Sequence, residues 1–501
     1  MRILYIDIDS LRPDHLGCYG YQRPTSPNID RIASQGVLFT NYFCSDSPCL
    51  PSRAACFSAR PGIQNGVVAH EDTPIGATLR YGNRERHGEA DAPMWMHHLV
   101  HNGMNTVSFS SFANRHLAGW FHFGFRQFNL SSLKNGNEDA NEVNAVALPW
   151  FEQHAREDNW FVHLNYWDPH TLYTEPLSYM RMMEEHPAPA WPDADAIKQQ
   201  QRLTGVRTPQ MLWADSPGEG YGKSRVPTMP DQIKHRGDFE HLINGYDGAI
   251  RFADENLGQI FTELERQGIF DETAIIISAD HAEAFGELGQ YMEHGSVSPA
   301  VNRVPLIIKW PGITEQVAGD QRSELLLNID LAPTVSASLG LKVPTGWAGQ
   351  SFLPLLEGRA LAQPRSEMVM GHGLHTRQRA VYDGRWLYIR TYHPGYFEYP
   401  PQMLFDLSID PYQVNNVAEA LPDRLQQMDT HLRNWERENV AVTNQPDPMR
   451  LVQHNPPTAL GKSLNSFIKR LRSQSREEDI KRFMDRWEHI DTDYAPTPLI
   501  L

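Results

Sequence analysis

"RILYIDI", residues 2–8, opens the chain with a run too apolar to alternate between a wet and a dry face. Such a run reads as a short strand buried on both sides, as in parallel sheets. "SPNIDRIASQG" (26–36) follows and reads as a helix, with Ser26 as N-cap, Pro27 at the first helical position and Gly36 at the end. The same two signals recur down the chain. "NTVSFSS" (105–111), "WFVHLNYW" (160–167), "TAIIISA" (273–279) and "VPLIIKW" (304–310) are further strand candidates. Between them lie helical stretches such as "YDGAIRFADENLGQIFTELERQG" (246–268). There Ile250, Phe252, Ala253, Leu257, Ile260 and Phe261 fall near helical spacing ahead of Gly268. This alternation predicts an α/β domain with a mostly parallel central sheet flanked by helices. Ligands of such sheets sit beyond the carboxyl ends of the strands.

A chain of 501 residues supports one large domain with a smaller one appended. The character changes after residue 365. "RAVYDGRWLYIRTY" (379–392) reads as a hairpin turning at Asp383-Gly384, followed by "MLFDLSIDPYQVNNVAE" and the helix "DRLQQMDTHLRNWERE". The predicted organisation is therefore a main domain over 1–365 and a C-terminal subdomain over 366–501, a small antiparallel sheet plus helices. Residues 175–235, polar and rich in Pro, Gln and Met, read as an insertion over the active face. "LNSFIKRLRSQSREEDIKRFMDRWEHI" (464–490) reads as a charged amphipathic helix or pair.

The formal net charge of −16 argues against nucleic acid as a partner. No apolar run approaches the roughly 20 residues of a membrane span, so no membrane partner is expected. The N-terminus has no charged region leading into an apolar one. As written the chain reads as cytoplasmic, or as periplasmic or secreted if a leader was removed. Cys18, Cys44, Cys49 and Cys56 are too few for a disulfide scaffold, and C-x4-C-x6-C is not a usual zinc spacing.

"CLPSRAACFSAR" (49–60) carries the chemistry. Pro51 suits a first helical turn, and Pro61-Gly62 stops the helix. Cys49 then stands at a helix N-terminus, where unpaired N–H groups favour an anion, with Arg53 one turn on. A thiol in that place is expected to be activated.

This stretch resembles C-x-P-S-R-x4-T-G-R, the signature of the formylglycine-dependent (type I) sulfatases of the alkaline phosphatase superfamily. Ser58 stands for Thr and Ala59 for Gly. "ILYIDIDSLRPDHLGCYGY", "SPNIDRIASQGVLFTNYF", "YWDPHTLY", "SADHAEAFGE", "RVPLIIKWPG", "NIDLAPTVSASLG" and "LFDLSIDPYQVNNVAE" are similar to family landmarks in the same order. They span residue 3 to about 418. The resemblance implies an alkaline-phosphatase-like fold, with 1–365 as the catalytic domain. It implies that Cys49 is oxidised to formylglycine by a formylglycine-generating enzyme, the hydrate supplying the attacking oxygen. Cys44 and Cys56 become bystanders.

Asp9 ends the first strand; Asp280 and His281 end "TAIIISA" on the same edge. Carboxylates from two strand ends can converge on one divalent cation. The resemblance makes Asp9, Ser10, Cys49, Asp280 and His281 the metal set, with Ser10 replacing the family's second aspartate. Calcium is the family expectation; the imidazole and the lost carboxylate bring in magnesium or manganese. Asp7 reads as structural and Asp14 as a weaker alternative ligand. Arg53 would hold the hydrate. His170, in "WDPH", matches the family histidine on the leaving-group side, where a neutral-range pKa suits proton donation. His294, nine residues before Arg303, stands where the family commonly has a sulfate-binding lysine, and is assigned both acid and sulfate-binding roles. The family's G-K-W-H is replaced by "SSFANRHLAGW", leaving Arg115 and His116 as substitutes for sulfate binding, with His116 also a catalytic candidate. His70 could reach the substrate.

The expected activity is sulfate-ester hydrolysis on a sulfated carbohydrate, a glycosaminoglycan such as chondroitin/dermatan or heparan sulfate first, with Trp191 and Trp213 as stacking platforms. A phosphonate monoester or phosphodiester hydrolase of the same superfamily is one alternative. A catalytically inactive glycan-binding homologue is the other, motivated by Ser10, His294 and the missing lysine.

Overall fold

The computed structural model describes residues 1–501 apart from 71–76, 81–91, 130–133, 135, 202, 204–225, 231–232, 396, 454–467, 469–470, 474 and 489–501. Trp213, much of the 175–235 insertion and part of the 464–490 segment lie outside the described residues.

The apolar runs pair as expected. One sheet of eight strands has the spatial order Gln321–Arg322, Val37–Phe39, Leu306–Lys309, Thr273–Ser278, Arg2–Ile8, Trp160–Tyr166, Asn105–Phe109 and Gln127–Asn129. Arg2–Ile8 lies parallel between Trp160–Tyr166 and Thr273–Ser278. Every residue of those two flanking strands is buried, which explains runs without polar alternation. Leu306–Lys309 runs antiparallel to both of its neighbours. Its sequence does not announce that direction, because a strand covered on both faces is apolar either way.

Helices cover the sheet. The longest, Arg236–Arg266, starts ten residues before the segment read as helical. It packs on Leu177–Glu184, Ala140–His154 and Pro27–Gln35. Ser26 does stand at the N-cap of Pro27–Gln35, but its hydroxyl bonds elsewhere, accepting from Gly17 N and donating to Asp30. The first helical N–H groups, Asn28 and Ile29, donate instead to the Asp254 carboxylate of the long helix. Capping thus ties two helices together.

A second sheet orders Gln402–Asp406, Trp386–His393, Arg377–Tyr382 and Met368–His372 as an antiparallel meander, with the Asp383-Gly384 turn where the sequence places it. Helix Pro422–Thr443 lays Met428 and Leu432 against Val369, Val381, Tyr388 and Leu404. The fifth strand of this sheet is Asp46–Ser47, paired parallel with Gly371 and His372. The segment leading into the Cys49 helix is therefore woven into the C-terminal sheet.

Of the insertion, Leu177–Glu184 and Ala194–Gln200 are helices. Gln200 donates to the Gly286 carbonyl. Trp191 stacks one face on Tyr412, at 3.9 Å between centroids with planes 6° apart. Among the described residues, no helix is long and apolar enough to cross a membrane.

Candidate active site

Cys49–Ser58 is a helix of ten buried residues, capped at its end by Ala59 in the left-handed region at φ 51°. That conformation favours glycine, so the replacement of Gly by Ala59 carries a backbone strain. Both ends of the motif are pinned. Asp46 accepts from Gly62 N at 2.7 Å, and Ser47 Oγ meets His372 Nδ1 at 2.9 Å. Gly62 has no room for a side chain: a Cβ there would lie 2.6 Å from Val67 O. Ser52 Oγ donates to the Asp280 carbonyl at 2.5 Å, and Asn328 Nδ2 donates to Ser52 O at 3.1 Å, so the helix start is fastened to the strand end.

Around that start, single ligand atoms of Asp9, Cys49, Asp280 and His281 all lie within 4.8 Å of one another. Cys49 Sγ is 3.1 Å from His281 Nε2. His281 Nδ1 is 3.0 Å from the Ala282 carbonyl. A carbonyl only accepts, so Nδ1 carries the proton and Nε2 turns a lone pair into the cluster. Arg53 Nε donates to Asp7 at 2.8 Å, and Nη1 donates to Asp9 at 3.0 Å and Asp280 at 2.6 Å. Its Nη2 is buried and bonded to nothing in the structure. Asp7 fits the structural reading, holding Arg53 and His163. Asp14 does not join the set: both its oxygens accept from Arg12. Ser10 adjoins the set. At φ 59°, its Oγ donates to Asp9 at 3.0 Å and its N–H to Asp280 at 3.3 Å.

Burial alone would push the Asp9 carboxyl up; nearby positive groups led by the Arg53 guanidinium, with Arg115 among them, together outweigh it and hold Asp9 well below the usual range. Asp280 goes the other way, pushed up by burial and by the charges of Asp9 and Asp7 against the pull of Arg53. Three buried carboxyls share one guanidinium, a set short of positive charge. Two carboxylates and an imidazole lone pair converging on such a place suit a divalent cation. The Cys49 thiol is pushed well up by burial and by Asp9 and Asp280. Burial is the largest of these causes, against the expectation of an activated thiol.

The histidines gather at one side of this cluster. His294 lies 4.3 Å from His281 and 5.8 Å from His170 between ring centroids. His170 faces Arg115 Nη2 at 3.4 Å, while its Nδ1 is 2.5 Å from the Thr171 carbonyl. Burial, then Arg115, push His170 down to about 3, so it is neutral rather than poised near neutrality. Arg115 also donates to the Gly136 carbonyl and lies over the Trp167 ring at 4.8 Å. His116 is buried between Phe112 and His70, with ring centroids at 5.1 and 4.9 Å, and burial and Arg115 lower it.

Two further residues belong here that no sequence pattern singles out. Glu283, fully buried, accepts from Thr171 Oγ1 at 3.1 Å and Tyr173 Oη at 3.3 Å and lies 3.8 Å from His294 Nδ1. His375 brings its ring within 6.2 Å of His294 from the C-terminal sheet. Neither is marked by a local pattern; the tertiary fold alone places them beside His294.

A family model described as Sulfatase matches residues 2–341, and one described as N-sulphoglucosamine sulphohydrolase, C-terminal, matches 286–438. N-acetylglucosamine-6-O-sulfatase of Bacteroides thetaiotaomicron is 22% identical over 83% of this chain and 82% of its own. A solved structure described as a complex with its substrate D-glucosamine-2-N,6-O-disulfate superposes with TM-score 0.67 at 17% identity, over 89% of this chain and 99% of that one. Phosphonate monoester hydrolase of Agrobacterium radiobacter superposes with TM-score 0.65 at 21% identity, over 87% and 96%. With the family model covering well over half of the chain, and the fold and motif order agreeing with it, the chain belongs to the sulfatase family of the alkaline phosphatase superfamily, a family of sulfuric ester hydrolases.

Proposed function

We propose that this chain hydrolyses sulfate esters of a sulfated glycan, a glycosaminoglycan fragment first, using a formylglycine made from Cys49. The observation that supports this most is the convergence of Asp9, Asp280, His281 and Cys49 at the start of the CLPSR helix, with Arg53 bridging the carboxylates. The similarity to an N-acetylglucosamine-6-O-sulfatase supports the glycan class.

Asp9, Asp280 and His281 would hold a divalent cation, calcium by family expectation or magnesium or manganese, supplying Lewis-acid polarisation of a sulfate oxygen beside the nucleophile at position 49. Arg53 holds Asp9 ionised and keeps Nη2 for the oxygens at position 49. Arg115 and His116 bind sulfate from the other side, and His70 borders them. His294 and His170 flank the leaving-group side. His170 enters neutral, its Nε2 lone pair facing Arg115, so the proton it would pass to the departing alcohol is the one released by the attacking hydroxyl at position 49. Glu283 orients this pair by holding the His170 loop and facing His294.

The test is mass spectrometry of the peptide containing Cys49, together with turnover of defined sulfated oligosaccharides, an aryl sulfate and a phosphate diester. An aldehyde or hydrate at position 49 with preference for sulfate supports the proposal. Preferred cleavage of the diester points to the phosphonate and phosphodiester branch. An unmodified thiol in protein from its native host, without turnover, leaves the inactive glycan-binding reading.

A further inference from the structure

The helix Trp95–His101, "WMHHLVH", has nothing to do with the cluster around Cys49, yet it places two histidines one turn apart. Its inner face is core: Trp95 packs on Tyr5, Phe57 and Phe161. Its outer face carries His97 and His101, both exposed. Spacing of four sets them on one stripe of the helix, and their ring centroids are 4.1 Å apart. His101 Nδ1 is 2.8 Å from the His97 carbonyl, so Nδ1 donates and Nε2 turns its lone pair outward. The tautomer that a metal ligand needs is thus set by the helix itself. His98 points elsewhere, its ring 5.2 Å from Trp347.

We propose that His97 and His101 form a surface chelate for a divalent transition cation of the zinc class. Two imidazoles on a rigid turn suit such a cation rather than calcium, which prefers oxygen ligands. Water completes the coordination sphere, so the site binds reversibly. It uses none of the proposed catalytic residues. Because Phe57 of the Cys49 helix leans on Trp95, a cation held here braces the helix beneath the motif.

The experiment is calorimetric titration of the calcium-saturated full chain with zinc chloride. Wild type is expected to bind one more equivalent than the double variant His97→Asn/His101→Asn. Each single variant should weaken that equivalent by about tenfold or more. His98→Asn and the partly exposed His154→Asn should retain it. Zinc should raise the thermal midpoint of wild type and not that of the double variant, with both equally folded by circular dichroism before zinc is added. Identical isotherms for wild type and the double variant would overturn the proposal. Loss of the equivalent in His98→Asn would overturn the assignment to this pair.

Discussion

Arg53 Nη1 lies 2.6 Å from Asp280 Oδ2 while the same nitrogen reaches Asp9 at 3.0 Å, so one guanidinium nitrogen ties together the ends of two neighbouring strands. Nε of the same group holds Asp7. The motif arginine is therefore a keystone of the sheet edge. Its helix is fastened there by Ser52 as well, so position 49 is held by contacts made to both strands.

Arg53→Lys tests this directly. An ammonium cannot span three carboxylates with the geometry of a planar fork. The variant should lose about 1.5–3 kcal/mol of stability, the cost of charged hydrogen bonds lost while the positive charge stays. Denaturant midpoints read the loss, and activity should fall by about a hundredfold or more. A variant of unchanged midpoint would show that the bridging adds nothing.

Glu283→Gln removes a charge 3.8 Å from His294 while keeping the shape of the residue that accepts from Thr171 and Tyr173. The expected result is a drop in kcat of about tenfold to a hundredfold with little change in KM, because the residue positions others and does not touch substrate. The pH profile of kcat should change shape; a structural role alone would lower activity equally at every pH.

Most of this architecture was legible because the sheet is buried on both faces. A parallel strand in that setting is largely apolar, and Asp9 and Asp280 follow where the apolar runs end and the site begins. The CLPSR helix was legible from Pro51 and Arg53. What escaped was set by tertiary contact. Asp46–Ser47 is too short to show a period, so its pairing with Gly371 and His372 left no trace in the sequence. Glu283 and His375 reach the site from loops whose folding no local pattern records. The proton affinities of Cys49 and His170 escaped as well, since they depend on burial and on Asp9, Asp280 and Arg115 around them.

Ser10→Asp restores the second carboxylate of the family pattern. Ser10 now spends its hydroxyl on Asp9 from a left-handed backbone, a conformation that aspartate tolerates better than most residues. An added carboxylate beside Asp9 and Asp280 should tighten calcium binding by about tenfold, because hard oxygen ligands and charge set calcium affinity. Metal titration of the chelator-treated protein measures it. Without added metal the variant should be less stable than wild type, since a fourth aspartate then joins three that already share one guanidinium.

Acid stability follows from the neutral imidazoles. His170 is held down to about 3, and burial also lowers His116, His163, His281 and His372. In the unfolded chain these groups bind protons below about 6.5. The unfolded state therefore holds more protons than the folded one between about 6.5 and 3, and stability falls as pH falls through that window. Urea midpoints measured at successive pH values should decline below about 6.5, and His170→Asn should make that decline shallower.

Glu175 works in the opposite sense. Its two oxygens are buried and, among the described residues, accept from no other residue, and burial raises the carboxyl to about 9, with Asp168 adding to the shift. A group raised in the folded state contributes fully below its unfolded value near 4.5 and becomes a growing burden as pH rises towards 9. Glu175→Met removes that burden and fills the same space with an apolar chain. Relative to wild type, the variant should gain about 1.4 kcal/mol for each pH unit between roughly 5 and 8. Chemical denaturation at pH 5 and at pH 8 separates the ionisation from any packing effect, because packing is the same at both. A difference between variant and wild type that does not change with pH would mean that Glu175 is paired in solution, and that its burial does not govern its charge.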